Sequence, residues 1–342
     1  MKKRIISLLL MLSMILTACG AETNTTENSE KLTVVTSFYP IYLLTQEVVE
    51  GAENVVLKNM AQPQTGCLHD YELTISDMKL LEGADVLIVN GGGMESFLEQ
   101  AIERYPDLKV VDTSAGIELL EEEEHHHHGE ETEAHEHEEE TAEEHLHEEE
   151  EHLEEEEEHS HEEDAHGHSH EGNPHIWLSP ARAAQQVENI CTALSELDKA
   201  DAEIFAENAA NFHAEAEALL EQAHEIGIPE EMHSAVFHEG FGYFAELFHM
   251  ENVFGIFADE YQMPSARELA EATDEAKGHD IRFFLTADDT GKIYAETLAA
   301  EVDEEIVLLD PLTTADEENL SYMERMQKNI ETIERHWKEV TE

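Results

Sequence analysis

Residues 33–57 read TVVTSFYPIYLLTQEVVEGAENVVL. An apolar, β-branched run at 33–37 is followed by a helical pattern at 41–49 and then by a second β-branched run at 54–57. Strands that alternate with helices are typical of βα units and a mainly parallel sheet. This stretch therefore predicts an α/β fold.

The same alternation continues in two sets, one early in the chain and one after residue 230. Further strands are predicted at 86–90, 109–112, 234–237, 253–257, 281–285 and 305–309, and further helices at 94–105, 181–197 and 201–225. The pattern predicts two similar (βα)4-like lobes joined by a long, rigid linking helix, with little closure around a guest. The expected bounds are 31–197 for the N-terminal lobe, 198–228 for the linking helix and 229–342 for the C-terminal lobe.

The first 30 residues predict export and a lipid anchor. A basic start, Lys2-Lys3-Arg4, precedes an apolar run at 5–16 that is too short to span a membrane comfortably, as in a secretory signal. Residues 16–19, Leu-Thr-Ala-Cys, resemble the bacterial lipoprotein processing box, so 1–19 is the expected signal and Cys19 the lipidated residue. An ordinary signal peptide with an incidental cysteine is the alternative. Residues 20–30 are expected to be a tether at the outer face of the cytoplasmic membrane.

The charge balance limits the classes of partner. The 342 residues include 81 Asp and Glu but 18 Lys and Arg, for a formal net charge of −63. Such an excess of acids argues against nucleic acid and anionic lipid surfaces and favours metal cations. Residues 121–171 hold many of these acids and no Lys or Arg.

The segment 121–171 is a histidine-rich acidic tract, which we expect to be disordered without metal and to hold several weak metal sites. Imidazole and carboxylate groups suit zinc, copper or nickel. The alternatives are a solubilising spacer or, for the first four histidines, an expression tag. Its histidines are His125, His126, His127, His128, His135, His137, His145, His147, His152, His159, His161, His166, His168 and His170.

Three histidines outside the tract follow predicted strands or lie in the loops after them. His69 stands in GCLHDYE (66–72), His175 in NPHIWLSP (173–180) and His238 in VFHEGFGYF (236–244). Ligands of open α/β sheets bind beyond the carboxyl ends of the strands. Each histidine alone is weak support for a metal site, but the three together favour one.

These motifs resemble those of the metal-binding lipoproteins of bacterial zinc and manganese ABC importers, over residues 32 to the C-terminus. The family order is kept by VVTSFYPIY (34–42), HDYE (69–72), PHIWLSP (174–180), His238 with FGY (241–243), and DPL (310–312). Two departures are Leu68 and Asn173, where the family usually has proline and aspartate.

The resemblance implies a bilobal, non-catalytic protein that captures zinc through His69, His175 and His238, with Asp310 or water as the fourth donor. It also implies a monomer that delivers zinc to a membrane permease served by a separate ATPase subunit. Zinc suits three imidazoles, whereas manganese prefers oxygen donors. The alternatives are a manganese-binding member of the family, a secreted zinc hydrolase, and an adhesin or metal buffer without transport coupling.

Several neighbouring side chains have more than one interpretation. Asp310 could instead be a turn aspartate before its proline. Glu239 and Asp70 are expected to orient an imidazole. Cys67 is interpreted as a buried thiol or a thiolate ligand, and Cys191 as a small buried hydrophobic residue.

Overall fold

The computed structural model describes residues 31–62, 68, 71–121, 172–256, 264–287 and 291–342. In the N-terminal lobe, four parallel strands lie in the order β2-β1-β3-β4. They are β1 (Leu32–Thr36), β2 (Val55–Asn59), β3 (Val86–Val89) and β4 (Lys109–Asp112). The accompanying helices are α1 (Tyr39–Val49), α2 (Ile75–Glu82) and the short α3 (Glu99–Ile102).

The C-terminal lobe repeats this topology, with four parallel strands in the order β6-β5-β7-β8. They are β5 (His233–Val236), β6 (Glu251–Gly255), β7 (Phe283–Thr286) and β8 (Ile306–Leu308). The helices are α6 (Phe241–Leu247), α7 (Ala266–Gly278), α8 (Gly291–Val302) and the C-terminal α9 (Tyr322–Thr341). The strand order is equivalent in the two lobes, which agrees with the prediction of two similar lobes.

Two long helices connect the sheets: α4 (Pro180–Leu197) and α5 (Ala202–Glu225). Ser179 caps α4 by accepting the backbone N–H of Arg182, and proline occupies the first turn, where its missing N–H costs nothing. The buried stripe of α5 recurs every three or four residues, so it forms one apolar face. It consists of Phe205, Ala209, Phe212, Ala216, Leu219 and Ala223.

The apolar face of α5 belongs to a hydrophobic core that is shared by both lobes. That core contains Val34 and Ile88 of the first sheet as well as Val236 and Leu285 of the second. Phe212 of α5 contacts Tyr322 of α9, with ring centroids 5.2 Å apart. Because protein cores are close-packed, this continuity resists hinge motion between the lobes. The predicted α/β fold with two lobes and a linking helix is confirmed.

The predicted helix at 94–105 is wrong in its extent. The segment contains a single 3₁₀ turn (Ser96–Leu98) and α3, whereas the other predicted elements agree with the structure to within two residues. The difference arises at Glu95, whose side chain turns inward and accepts the backbone N–H groups of Asn90 and Gly91. In a regular helix that began at residue 94, the direction of the Glu95 side chain would follow the helical repeat. Its carboxylate would then not accept from those two N–H groups.

Among the described residues, no helix combines the length and hydrophobicity needed to cross a membrane. The predicted signal and tether, and nearly all of the acidic tract (122–171), lie outside the described residues, as do Cys67, His69 and Asp70.

Candidate metal centre

His175 and His238 come from different lobes and meet between them. His175 precedes a 3₁₀ turn (Ile176–Leu178) that leads into α4, and His238 lies between β5 and α6. Their ring centroids are 5.2 Å apart and their planes are inclined by 76°. Two imidazoles on one tetrahedral zinc ion, each with a bond of about 2.0–2.1 Å, place their centroids about 5 Å apart. The observed separation therefore fits two ligands of one ion.

Trp177 forms the base of this site and connects the lobes beneath it. Its ring is fully buried, 5.1 Å from the His175 ring and 5.2 Å from that of Phe38 at the end of β1. The indole N–H donates to the carbonyl of Pro311 at 2.9 Å, and the hydroxyl of Tyr322 donates to the Trp177 carbonyl at 2.7 Å. The position of His175 is thus fixed by contacts with both lobes.

The segment before His175 is held by a buried polar network in the N-terminal lobe. Asn90, at the end of β3, donates its side-chain amide to the carbonyl of Pro174 at 2.8 Å. Gln186 of α4 donates to the Asn90 side-chain oxygen at 3.0 Å and to Thr113 at 2.8 Å. These bonds dock the loop that carries His175 against the carboxyl ends of the strands.

Glu95 is the charged member of this network. It is buried and accepts hydrogen bonds from the Ser37 hydroxyl at 2.7 Å and from the backbone N–H groups of Asn90 at 2.8 Å and Gly91 at 3.1 Å. Burial raises the pKa of this carboxyl to about 7, although the three hydrogen bonds oppose the shift. The group can therefore change its charge near neutral pH.

His238 lies on a tight turn that brings it against His175. Its Nδ1 accepts the backbone N–H of Gly240 at 3.1 Å. A Cβ atom at Gly240 would lie 2.5 Å from a methyl carbon of Leu178 and 2.9 Å from the Cβ of His175. Glycine is therefore required for the two histidine segments to approach this closely.

Glu239 lies beside the histidine of the opposite lobe. Its carboxylate is 3.9 Å from Nδ1 of His175 and its side chain is 26 % exposed. A carboxylate near Nδ1 favours a proton on that nitrogen, which agrees with the expectation that Glu239 orients an imidazole. The imidazole that it approaches is that of His175 rather than that of its neighbour in sequence.

Asp310 follows β8 and forms a two-point ion pair with Arg325 of α9. Nε and Nη2 of Arg325 each donate to a different oxygen of Asp310 at 2.6 Å, and Arg325 is 3 % exposed. Oδ1 of Asp310 also accepts the backbone N–H of Leu312 at 2.8 Å, as in an Asx turn. Both carboxylate oxygens thus have a structural role within the C-terminal lobe.

The described residues contain two of the three predicted histidine ligands, and His69 lies outside them. The residue just before it, Leu68, is fully buried in the shared core, and its carbonyl accepts the backbone N–H of Tyr71 at 3.0 Å. Within the described ranges no three metal-ligating side chains come together. The described part of the centre is therefore the His175–His238 pair and its supports.

The residues that hold the histidine segments in place were not predicted from the sequence. Asn90, Glu95 and Gln186 act through contacts made across the fold, and no spacing along the chain marks them. Arg325 is likewise 15 positions from Asp310. The position of Asn90 directly after an apolar strand was the one available signal, because polar residues at that edge of a parallel sheet face the ligand side.

Two equivalent parallel-sheet lobes are bridged by packed helices, and a histidine from each lobe lies at a candidate metal site between them. This architecture is that of a bilobal binding protein. The model of the family "Zinc-uptake complex component A periplasmic" (ZnuA) matches residues 34–336. The chain belongs to this family.

Similar proteins have zinc-related names. The chain is 27% identical over 339 residues to zinc-binding lipoprotein AdcA of Streptococcus pneumoniae serotype 4, with 97% of this chain and 60% of that protein aligned. It is 27% identical over 334 residues to the high-affinity zinc uptake system protein ZnuA of Bacillus subtilis, covering 94% of this chain and 93% of that protein. The chain thus spans about 60% of the length of the AdcA relatives it matches.

Solved structures share the fold. Zn(II)-bound AdcA from Streptococcus pneumoniae aligns with a TM-score of 0.65 at 23% identity, covering 90% of this chain and 57% of that one. The Ni2+ complex of FpvC from Pseudomonas aeruginosa aligns with a TM-score of 0.69 at 21% identity, covering 91% of this chain and 98% of that one.

Proposed function

We propose that this chain captures zinc outside the cytoplasm and delivers it to an ABC importer. The observation that carries the proposal is the convergence of His175 and His238 from opposite lobes, at a centroid separation of 5.2 Å. Membership of the zinc-uptake family and the names of the zinc-binding relatives AdcA and ZnuA support it. In this proposal the chain binds and releases zinc and catalyses no reaction.

The proposed ligand set is His69, His175 and His238, with Asp310 or water as the fourth donor. Three imidazole nitrogens favour zinc over manganese, which prefers more oxygen donors and a higher coordination number. Asp310 reaches the ion only if its carboxylate is shared with Arg325 or released from it, because both oxygens accept from that guanidinium. Water needs no such change.

The proposal assigns complementary roles to the segments outside the described residues. Cys19 carries the lipid that anchors the chain to the outer face of the membrane. The histidines of residues 121–171 hold zinc weakly and raise its local concentration near the cleft. A monomer of the chain then docks on a permease whose ATPase is a separate subunit, and this contact perturbs the lobes and releases the ion.

Zinc competition against a chromophoric chelator tests the site directly. His175→Ala and His238→Ala are each expected to abolish the one tight site, since two remaining imidazoles chelate weakly. His213→Ala is the matched control, because His213 is 64% exposed on α5 and pairs with Glu217 of the same helix at 3.3 Å. Tight binding that survives both cleft substitutions would contradict the assignment.

A growth test addresses transport. Cells that lack the chain are expected to stop growing under zinc limitation and to recover with excess zinc, whereas normal growth under limitation would favour metal buffering. Metal-dependent turnover of peptide, ester or phosphoester substrates would favour a hydrolase.

A further inference from the structure

Asn173 is a buried residue that bonds to both lobes. It is 2% exposed and lies two residues before His175. Its side-chain oxygen contacts the backbone N and the ring Nδ1 of His175, each at 3.0 Å. Its side-chain nitrogen donates to the carbonyl of Glu239, in the turn that follows His238, at 2.9 Å. One amide thus contacts the two histidine segments of the cleft.

Two backbone groups fix the orientation of this amide. The carbonyl of Glu239 is an acceptor only, so the group that faces it must be the NH2 of Asn173. The backbone N–H of His175 is a donor only, so the group that faces it must be the amide oxygen. No alternative placement of the amide satisfies both partners.

The orientation of the amide then determines the tautomer of the His175 ring. Because an amide oxygen cannot donate, the Nδ1 that it contacts must carry the proton. In the neutral ring this places the lone pair on Nε2. A histidine that donates its Nδ1–H to a neighbouring oxygen is oriented to bind metal through Nε2.

Backbone contacts of Asn173 reinforce its connection to the C-terminal lobe. Its carbonyl accepts the Tyr243 hydroxyl of α6 at 2.6 Å, and its N–H donates to the carbonyl of Leu120 at 2.8 Å. Tyr243 in turn accepts the N–H of Leu120 at 3.2 Å, and its ring packs under the guanidinium of Arg182 at 5.0 Å. These bonds do not involve the Asn173 side chain, so we expect the main chain to keep its position when the side chain is changed.

We infer that Asn173 is a positioning residue that presets the His175 tautomer for metal binding and, by its bond to the Glu239 carbonyl, ties the His238 turn to the His175 segment. The assignment of the His175 tautomer applies to the metal-free protein, whereas the effect of Asn173 on zinc binding rests on the proposed function. The two halves of the amide have separate tasks: the oxygen sets the ring and the NH2 joins the lobes.

Two substitutions separate these tasks. In Asn173→Asp an oxygen still accepts from His175 Nδ1, but the second oxygen faces the Glu239 carbonyl, so the bond between the lobes is lost. In Asn173→Ala both contacts are lost. Asn189→Asp is the matched control, because Asn189 donates in the same way to the carbonyls of Thr113 and Ala115, at 2.9 and 3.1 Å, within one lobe.

Nitrogen-15 NMR of the metal-free full chain reads the tautomer, with the His175 signals assigned by their loss in His175→Gln. We expect a protonated Nδ1 and an unprotonated Nε2 in the wild type, Asn173→Asp and Asn189→Asp. In Asn173→Ala we expect a lower share of this tautomer, because the Glu239 carboxylate at 3.9 Å still favours it but the amide oxygen is lost. A wild-type ring protonated on Nε2 would overturn the tautomer assignment, whether or not zinc binds.

Two measurements test the hydrogen bond from Asn173 to the Glu239 carbonyl. They are amide hydrogen exchange in the metal-free protein and the rate of zinc release into excess chelator. Asn173→Asp is expected to speed exchange in residues 237–242 and to release zinc about tenfold faster, and Asn173→Ala to lose about 10–100-fold in affinity. Asn189→Asp should match the wild type in both. Unchanged hydrogen exchange in Asn173→Asp would contradict the claim that Asn173 joins the His238 turn to the His175 segment. Absence of tight zinc binding in the wild type would count against the proposed function alone.

Discussion

Glu95 accepts the backbone N–H of Asn90 at 2.8 Å, and Asn90 in turn holds the carbonyl of Pro174 with its side-chain amide. A buried carboxylate thus lies two hydrogen bonds away from the loop that carries His175. We therefore expect the stability of this loop to depend on the charge of Glu95.

Glu95→Gln is expected to flatten the pH dependence of stability of the metal-free protein. The folded-state pKa of Glu95 is raised to about 7 from the usual 4.5, so between these values the unfolded chain ionises first. Wild-type stability therefore falls as pH rises through this window and stays reduced above it. Relative to Glu95→Gln, we expect the wild type to lose about 2 kcal/mol of unfolding free energy between pH 5 and pH 8.

Denaturant unfolding at the two pH values measures this difference. Glu82→Gln, on the exposed end of α2, serves as the control and should leave the slope of the wild type unchanged. If the unfolding free energy of Glu95→Gln falls with pH as steeply as that of the wild type, Glu95 is not the source of this pH dependence.

Asp310→Asn is expected to destabilise the C-terminal lobe. The substitution removes the nearer of the two carboxylates beside the buried guanidinium of Arg325 and leaves Asp316, whose carboxylate is 3.9 Å away. Breaking a fully buried pair costs about 3–5 kcal/mol, and about 2–3 kcal/mol is expected here because the Asp310 side chain is 38% exposed. Thermal unfolding of metal-free Asp310→Asn and Arg325→Met, alone and combined, checks this, since the double variant should recover part of the loss.

The zinc affinity of Asp310→Asn then identifies the fourth donor. A loss of affinity beyond that of Arg325→Met would assign Asp310 to the ion. Equal affinities would assign the position to water.

Gly240→Ala is expected to separate the two histidine segments. The new methyl group would meet Leu178 and His175 at 2.5 and 2.9 Å, so the turn must shift, at a cost of about 1–3 kcal/mol. In this variant the affinity for zinc is expected to fall together with the free energy of unfolding. Gly278→Ala at the end of α7 is the control, because a Cβ there has no atom within 4 Å among the described residues. Wild-type zinc affinity in Gly240→Ala would argue that His238 does not bind the ion.

The order of strands and helices could be predicted from the sequence because burial on both faces of a parallel sheet produces short apolar runs, as in 33–37 and 86–89. His69, His175 and His238 could be proposed as ligands because the motifs around them resemble those of the family. Glu95 could not be interpreted, since its partners Ser37 and Asn90 become neighbours only when β1 and β3 pair. For the same reason no pattern along the chain indicates that Arg325 occupies the oxygens of Asp310.

Deletion of residues 121–171 is expected to lower the number of zinc ions bound per chain while leaving one tight site. The proposal places weak zinc sites on the histidines of this tract, whereas the cleft has a histidine from each lobe held by the folded chain. Mass spectrometry of the zinc-loaded native protein counts the ions. Loss of all tight binding on deletion would move the primary site into the tract.

Anomalous diffraction at the zinc edge from crystals of the zinc-loaded chain locates the bound ion. We expect one strong peak between the lobes, about 2.0–2.1 Å from an imidazole nitrogen of each of His69, His175 and His238. A map with strong zinc peaks elsewhere and none between the rings of His175 and His238 would contradict it.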